Sequence, residues 1–212
     1  MQLSGKTIVI TGANSGIGLE TGRELARGGA TVVMACRDLA RAKAARADIA
    51  ASVPGAKLEL VSLDLASLAS VRACADTIKN QWPRIDVLIN NAGLFPFKKQ
   101  LTDDGFEMQF GVNHLAHFLL TQSLMPALLA AGRPRVVNVA SMMHHLGKLD
   151  FDSFRGEKPY GPLKAYAQSK LCNVLFAREL ARRHAGDGLL SWSLHPGPVG
   201  TNIMGRGLVN RT

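Results

Sequence analysis

The chain has 212 residues, 47% of them hydrophobic and 19% charged, with a formal net charge of +9. That length suits one domain, 1–212, with a sizeable core, and no apolar run approaches the roughly 18 residues of a membrane span. The three cysteines, Cys36, Cys74 and Cys172, are odd in number and widely spaced, which argues against a disulfide framework and for a reducing, cytoplasmic setting. Lys and Arg are spread over most predicted helices without a basic tail or an RNA-binding aromatic motif, so the charge points to an anionic small ligand rather than to nucleic acid.

The β-branched run Thr7-Ile8-Val9-Ile10 predicts a buried strand over 7–11. It runs into Thr11-Gly12-Ala13-Asn14-Ser15-Gly16-Ile17-Gly18 and then a helix over 17–28. The same reading places further strands at 31–36, 57–62, 85–90, 134–140 and 189–195. Helices follow at 38–52, 67–81, 103–130 (broken near its middle) and 163–184. Strands alternating with helices predict a doubly wound α/β fold, a Rossmann-type parallel sheet of about six strands in the order 3-2-1-4-5-6 with helices on both faces. In the long helix after Phe110, Leu115, Phe118, Leu119, Leu124, Leu128 and Leu129 suit a buried face. The loop 142–162 is the longest irregular segment and is expected to line the mouth of a site.

Two segments carry chemistry. Strand, glycine turn and helix form a phosphate-binding start, in which backbone N–H groups and the positive helix end face a pyrophosphate. Here the spacing is G-x-x-x-G-x-G. The second segment is Tyr166-Ala167-Gln168-Ser169-Lys170, which puts a phenol and an ammonium on one helical face. A nearby ammonium favours the phenolate, so Lys170 is expected to lower the Tyr166 pKa and make it a usable acid–base group. Tyr160 and Lys164 have the same spacing, but Gly161 and Pro162 prevent an interior helical turn between them. His114 and His117 have metal-ligand spacing without a third ligand, so no metal is expected.

Three strands end in polar segments, Asn90-Asn91-Ala92-Gly93, Ser141, and Pro196-Gly197-Pro198-Val199-Gly200-Thr201. All three are expected at the carboxyl edge of the sheet, where ligands bind. With the glycine turn and the Tyr166–Lys170 pair, they make the chain resemble the short-chain dehydrogenase/reductase family over essentially its whole length. The stretches His144–Phe151, Ala165–Phe176 and Arg178–Ala181 resemble the retinol dehydrogenase branch more narrowly. The resemblance implies an oxidoreductase in which Tyr166 donates the proton to a carbonyl oxygen. Lys170 holds the nicotinamide ribose, Ser141 bonds the reacting oxygen, and Asn113 supports a water linking Lys170 to solvent. It implies dinucleotide contacts at Gly12, Asn14, Ser15, Gly16, Ile17, Gly18, Asp64, Leu65, Asn91, Ala92, Gly93, Tyr166, Lys170, Pro196, Gly197, Val199 and Thr201. For Asp64 a helix-cap role is an equal alternative.

Cofactor choice rests on the end of the second strand. An acid about 20 positions past the glycine turn selects NAD, and an arginine suits the 2′-phosphate of NADP. Cys36 stands at the position for the acid and Arg37 follows it, so NADP(H) is expected over NAD(H). Asp38 is read as a helix cap rather than a shifted selector. The resemblance also implies an apolar aldehyde, ketone or alcohol as substrate, and a homodimer through the long helix after Phe110 and the Tyr166 helix. Family members continue past Thr201 with a substrate-covering helix and a seventh strand, and many animal retinol dehydrogenases carry an N-terminal anchor; neither pattern is visible here. Alternatives are an idle dinucleotide-binding sensor or scaffold, and a protochlorophyllide reductase-like or steroid-type reductase.

Overall fold

A computed structural model describes residues 2–197. Six parallel strands, β1 (Thr7–Thr11), β2 (Thr31–Cys36), β3 (Lys57–Ser62), β4 (Val87–Asn90), β5 (Arg135–Val139) and β6 (Leu190–Leu194), form one sheet in the order β3-β2-β1-β4-β5-β6. The reversal of strand order between β1 and β4 opens a crevice at their carboxyl ends. Registers are in step across the sheet, with Ile8 opposite Val32 and Val87, and Leu88 opposite Val136.

Period-two alternation divides β1 and β2 between two cores. Val9 and Val33 face α3 (Leu68–Gln81), α5 (Ala116–Leu129) and α6 (Pro162–Arg183), packing with Val71, Ile78, Leu120, Leu124, Phe176 and Leu180. Ile8, Ile10, Val32 and Met34 face the other way and pack with Ala26 of α1 (Gly16–Arg27) and Ala42 and Ile49 of α2 (Leu39–Ser52). The expected three layers are present. In α5 the buried stripe is Ala116, Leu120, Leu124 and Leu128, whereas Phe118 is 41% exposed, so the expectation that Phe118 belongs to the buried face is corrected.

The long helix predicted over 103–130 starts later than expected, and the break expected near its middle is present. One turn, α4 (Met108–Phe110), leads into a π-helical turn, Gly111–Leu115, before α5. Glu107 forces the late start: its carboxylate accepts the Gln109 and Phe110 N–H groups and so caps the helix there. Asp38 caps α2 by accepting the Arg41 N–H at 3.0 Å, as read from the sequence. Gly161 is the N-cap of α6 and Pro162 opens it, which leaves Tyr160 outside the helix that carries Tyr166.

Candidate active site

The glycine turn is shaped by close approach. Gly12 and Gly16 have φ of 67° and 55°, values open to glycine at little cost. A Cβ on Gly18 would lie 2.4 Å from the Gly12 carbonyl oxygen, so α1 starts directly against the turn. Ser15, the N-cap of α1, makes no side-chain cap bond, which leaves the first-turn N–H groups to another acceptor. A cradle this tight, ending in uncapped N–H groups, fits a dinucleotide pyrophosphate.

Asn91 clamps the turn from β4's end. Its Nδ2 donates to the carbonyl oxygens of Thr11 at 2.8 Å and Gly12 at 3.5 Å. The Thr11 hydroxyl in return accepts the N–H groups of Asn91 and Ala92, both at 3.0 Å. Asn90 points into the sheet and donates to Thr121 and Asn138. At the second strand's end, the buried Cys36 thiol bonds the Ala13 and Asn14 backbone, and burial pushes its pKa up to about 11. Arg37 is exposed beside it. Asp64 accepts the Ala66 N–H at 2.9 Å, while Ser67 is the N-cap of α3, so Asp64 is not that helix's cap. Leu65 is 7% exposed and belongs to the core, which leaves only its main chain to meet a ligand.

Tyr166 and Lys170 lie in the first three turns of α6, against the ends of β4 and β5. The Tyr166 phenol faces the Ser141 hydroxyl, and its ring meets Phe95 edge-on at 5.2 Å. Ser141 is also the N-cap of a 3₁₀ turn, Met142–Leu146. Lys170 is buried; its Nζ donates to the Val139 carbonyl at 2.9 Å, lies 5.5 Å from the Tyr166 ring centroid, and is 3.6 Å from where a Cβ on Gly93 would be. Burial lowers its pKa to about 8. The expected lowering of the Tyr166 pKa by Lys170 is corrected. Burial raises it, the Ser141 hydroxyl opposes that only in part, and the ammonium is directed at Val139.

Asn113 sits in the π-helical turn, fully buried. Its side chain accepts the Leu94 N–H at 2.9 Å and donates to the Leu94 carbonyl and the Ser169 hydroxyl, both at 3.1 Å. Its carbonyl oxygen meets Nδ2 of Asn173 at 3.0 Å and Nδ1 of His117 at 3.2 Å. A water held at Asn113 therefore has to share an atom that already has a protein partner. Asn173 Nδ2 also reaches the Val139 carbonyl at 3.5 Å, so its Oδ1 faces His114, whose Nδ1 donates at 3.1 Å. Both histidines of the metal-like spacing are thus engaged by the protein, and among the described residues no cluster of three His, Cys, Asp or Glu side chains has metal-binding geometry.

Thr11 and Asn173 were given no role of their own from the sequence, and His117 was weighed only as a metal ligand. The signal was there: His117 is four residues after Asn113 and Asn173 three after Lys170, spacings that share a helical face. Pro196 and Gly197 follow β6 at the same sheet edge, while Val199 and Thr201 lie outside the described residues.

A parallel sheet with this strand order, a glycine cradle at its crevice and a Ser–Tyr–Lys group beside it are the arrangement of a dinucleotide-binding α/β fold. The short chain dehydrogenase family model matches residues 6–207, and the chain belongs to that family. It is similar to Retinol dehydrogenase 12 of Mus musculus, at 45% identity over 203 residues, covering 96% of this chain and 64% of that protein. It is 47% identical over 214 residues to human Retinol dehydrogenase 14, covering 95% and 64%. The chain thus spans about two-thirds of the length of these curated relatives, 64%. Among solved structures, an uncharacterised protein from Mycobacterium Paratuberculosis is 46% identical with a TM-score of 0.83, covering 93% of this chain and 70% of that one. A metagenomic short-chain oxidoreductase in complex with NADP is 29% identical with a TM-score of 0.75, covering 92% and 83%.

Proposed function

We propose that the protein is an NADP(H)-dependent oxidoreductase that interconverts an apolar aldehyde or ketone and the matching alcohol, with Asn113, Ser141, Tyr166 and Lys170 as its working residues. The observation that carries this reading is the Ser141–Tyr166 hydroxyl pair beside buried Lys170, next to the glycine cradle. The bound nicotinamide would supply or accept the hydride at its C4. Tyr166 gives its phenolic proton to the carbonyl oxygen as that oxygen gains charge, and the raised pKa keeps the phenol protonated at neutral pH. Ser141 bonds the same oxygen and fixes its distance from the phenol. Lys170, charged below about pH 8, lies one turn along α6, where it would hold the nicotinamide ribose, while the Ser141 hydroxyl, which opposes the rise in the Tyr166 pKa, stabilises the phenolate left behind.

Exposed Arg37 beside a thiol, where an NAD-selecting acid would stand, favours the 2′-phosphate, and the relative solved with NADP supports the same cofactor. The retinol dehydrogenase relatives and an apolar rim support an apolar substrate: Phe97, Met142, Leu146, Phe151 and Leu163 are all more than half exposed. The three buried free cysteines fit a reducing cytoplasm, and among the described residues no helix is long and apolar enough to cross a membrane.

The test is turnover of purified protein with NADPH and with NADH against retinal, aliphatic aldehydes and ketones. Tyr166→Phe should cut the rate by at least ~10²-fold, the low end for general acid catalysis, with NADPH affinity unchanged. Tight NADPH binding without turnover of any carbonyl would favour a dinucleotide sensor instead.

A further inference from the structure

A buried imidazole joins the cofactor cradle to the catalytic turn. His117 is 1% exposed and touches both: Nε2 is 2.9 Å from the Thr11 hydroxyl and Nδ1 is 3.2 Å from the Asn113 carbonyl oxygen. Proton accounting fixes the direction of each bond. The Thr11 hydroxyl has one hydrogen and two acceptor lone pairs, and the N–H groups of Asn91 and Ala92 occupy both lone pairs. Its hydrogen must therefore go to Nε2, which is bare, and the ring proton sits on Nδ1 and is donated to Asn113.

We propose that His117 is a positioning residue, locked as the neutral Nδ1–H tautomer, that ties the Asn91–Ala92 floor of the cofactor cradle through Thr11 to the main chain of Asn113. Its neutrality has independent support. Burial, opposed by the Asn113 bond and reinforced by the Lys170 charge, lowers its pKa to about 3, and a second ring proton would find no acceptor at Thr11. The main-chain bonding of a π turn is displaced, with Ala116 N–H reaching back to the Gly111 carbonyl. The Asn113 carbonyl is instead gripped by two side chains, His117 and Asn173. Either end of the imidazole can be removed separately, because Asn retains a donor at the Nδ1 position and Gln retains an acceptor at the Nε2 position.

This inference rests on the oxidoreductase reading for its rate measurement only. The first measurement is made on the protein alone: ¹⁵N-histidine spectra should show His117 protonated at Nδ1 and bare at Nε2 from pH 5 to pH 8. Protonation at Nε2 would overturn the proposal. The second is NADPH affinity by fluorescence titration alongside turnover number. His117→Asn, which loses Thr11, should weaken NADPH by about 3–10-fold, the worth of one hydrogen bond, with turnover near wild type. His117→Gln, which loses Asn113, should lower turnover by a comparable factor with NADPH affinity near wild type. Equal effects of both variants on both quantities, or changes in melting temperature alone, would mean that His117 only fills space. If His117→Asn does not fold, the wild-type spectra and His117→Gln, which has to leave NADPH affinity near wild type while turnover falls, decide the proposal. If the wild type turns over no carbonyl, the oxidoreductase reading fails. The spectra and the NADPH titrations still decide the role of His117.

Discussion

At Gly18 an added Cβ would stand 2.4 Å from the Gly12 carbonyl oxygen and 2.5 Å from Nδ2 of Asn91, so alanine cannot enter without opening the cradle. One turn along α1, a Cβ on Gly22 would meet Ile49, Ile10 and Val32 methyl groups at 3.8–3.9 Å, which is ordinary contact. The two substitutions should therefore have opposite signs. Gly22→Ala should raise unfolding stability in urea by about 0.5–1 kcal/mol, the helix gain over glycine. Gly18→Ala should lower the melting temperature and weaken NADPH binding, and a variant as stable as wild type would contradict this packing. Arg37 allows a cleaner test of cofactor choice because it is exposed and its loss leaves the fold alone. Removing one charge-assisted bond to the 2′-phosphate should cost about 1.5–3 kcal/mol for NADPH and little for NADH. Equal losses for both would remove Arg37 from the site.

Between elements, Tyr160 acts as a latch. Its hydroxyl donates to the Pro96 carbonyl at 2.6 Å and accepts from Nε2 of Gln109 at 2.8 Å, tying the loop after β4 and the α4 turn to the start of α6. Tyr160→Phe should cost about 1 kcal/mol in stability, since Gln109 keeps its bond to the Pro162 carbonyl at 2.9 Å. Turnover should remain, because Tyr160 is not the proton donor; an inactive Tyr160→Phe beside an active Tyr166→Phe would reverse the assignment. The strands and most helices were legible because their signals are local: β-branched runs in β1 and β2, Asp38 before α2, Gly161-Pro162 before α6. A break near the middle of 103–130 was legible too, but not that it is a π turn, because that depends on contacts from outside the helix. Its evidence is the set of buried bonds around Asn113, made by Leu94, Ser169 and Asn173 from distant parts of the chain. Asn113, Ser141, Tyr166 and Lys170, by contrast, could be picked out because their motifs are local. The thiol of Cys36 on the glycine turn and the Thr11–His117 link needed the folded chain.

For the molecule as a whole, the buried His117 and the half-buried His114 are expected to weaken the fold in acid. Burial lowers His114 to about 4 and His117 to about 3, against an ordinary value near 6.5. As pH falls below 6.5 the unfolded chain takes up protons that the folded chain refuses, so stability falls with it, by about 2 kcal/mol for each histidine at pH 5. Urea midpoints at pH 7 and pH 5 should differ accordingly, and His114→Asn should remove about half of the difference. A pH-independent midpoint would mean that these rings are open to water. His114 also borders the face through which we expect two subunits to pair. Phe118 on α5 and Leu175 on α6 are 41% and 40% exposed, and Phe118 lies against Phe176 with ring centroids 5.3 Å apart. These are large apolar side chains outside the core stripe of two adjacent helices, the place where a second copy would bury them. A stable interface covers about 800 Å² per partner, and a charge at its centre has no pair there. Sedimentation should give a dimer at micromolar concentration for the wild type and a monomer for Phe118→Glu, with the far-ultraviolet spectrum unchanged because position 118 is not in the core. A wild-type monomer throughout that range would reject the pairing, and a dimer that survives Phe118→Glu would move it to another face.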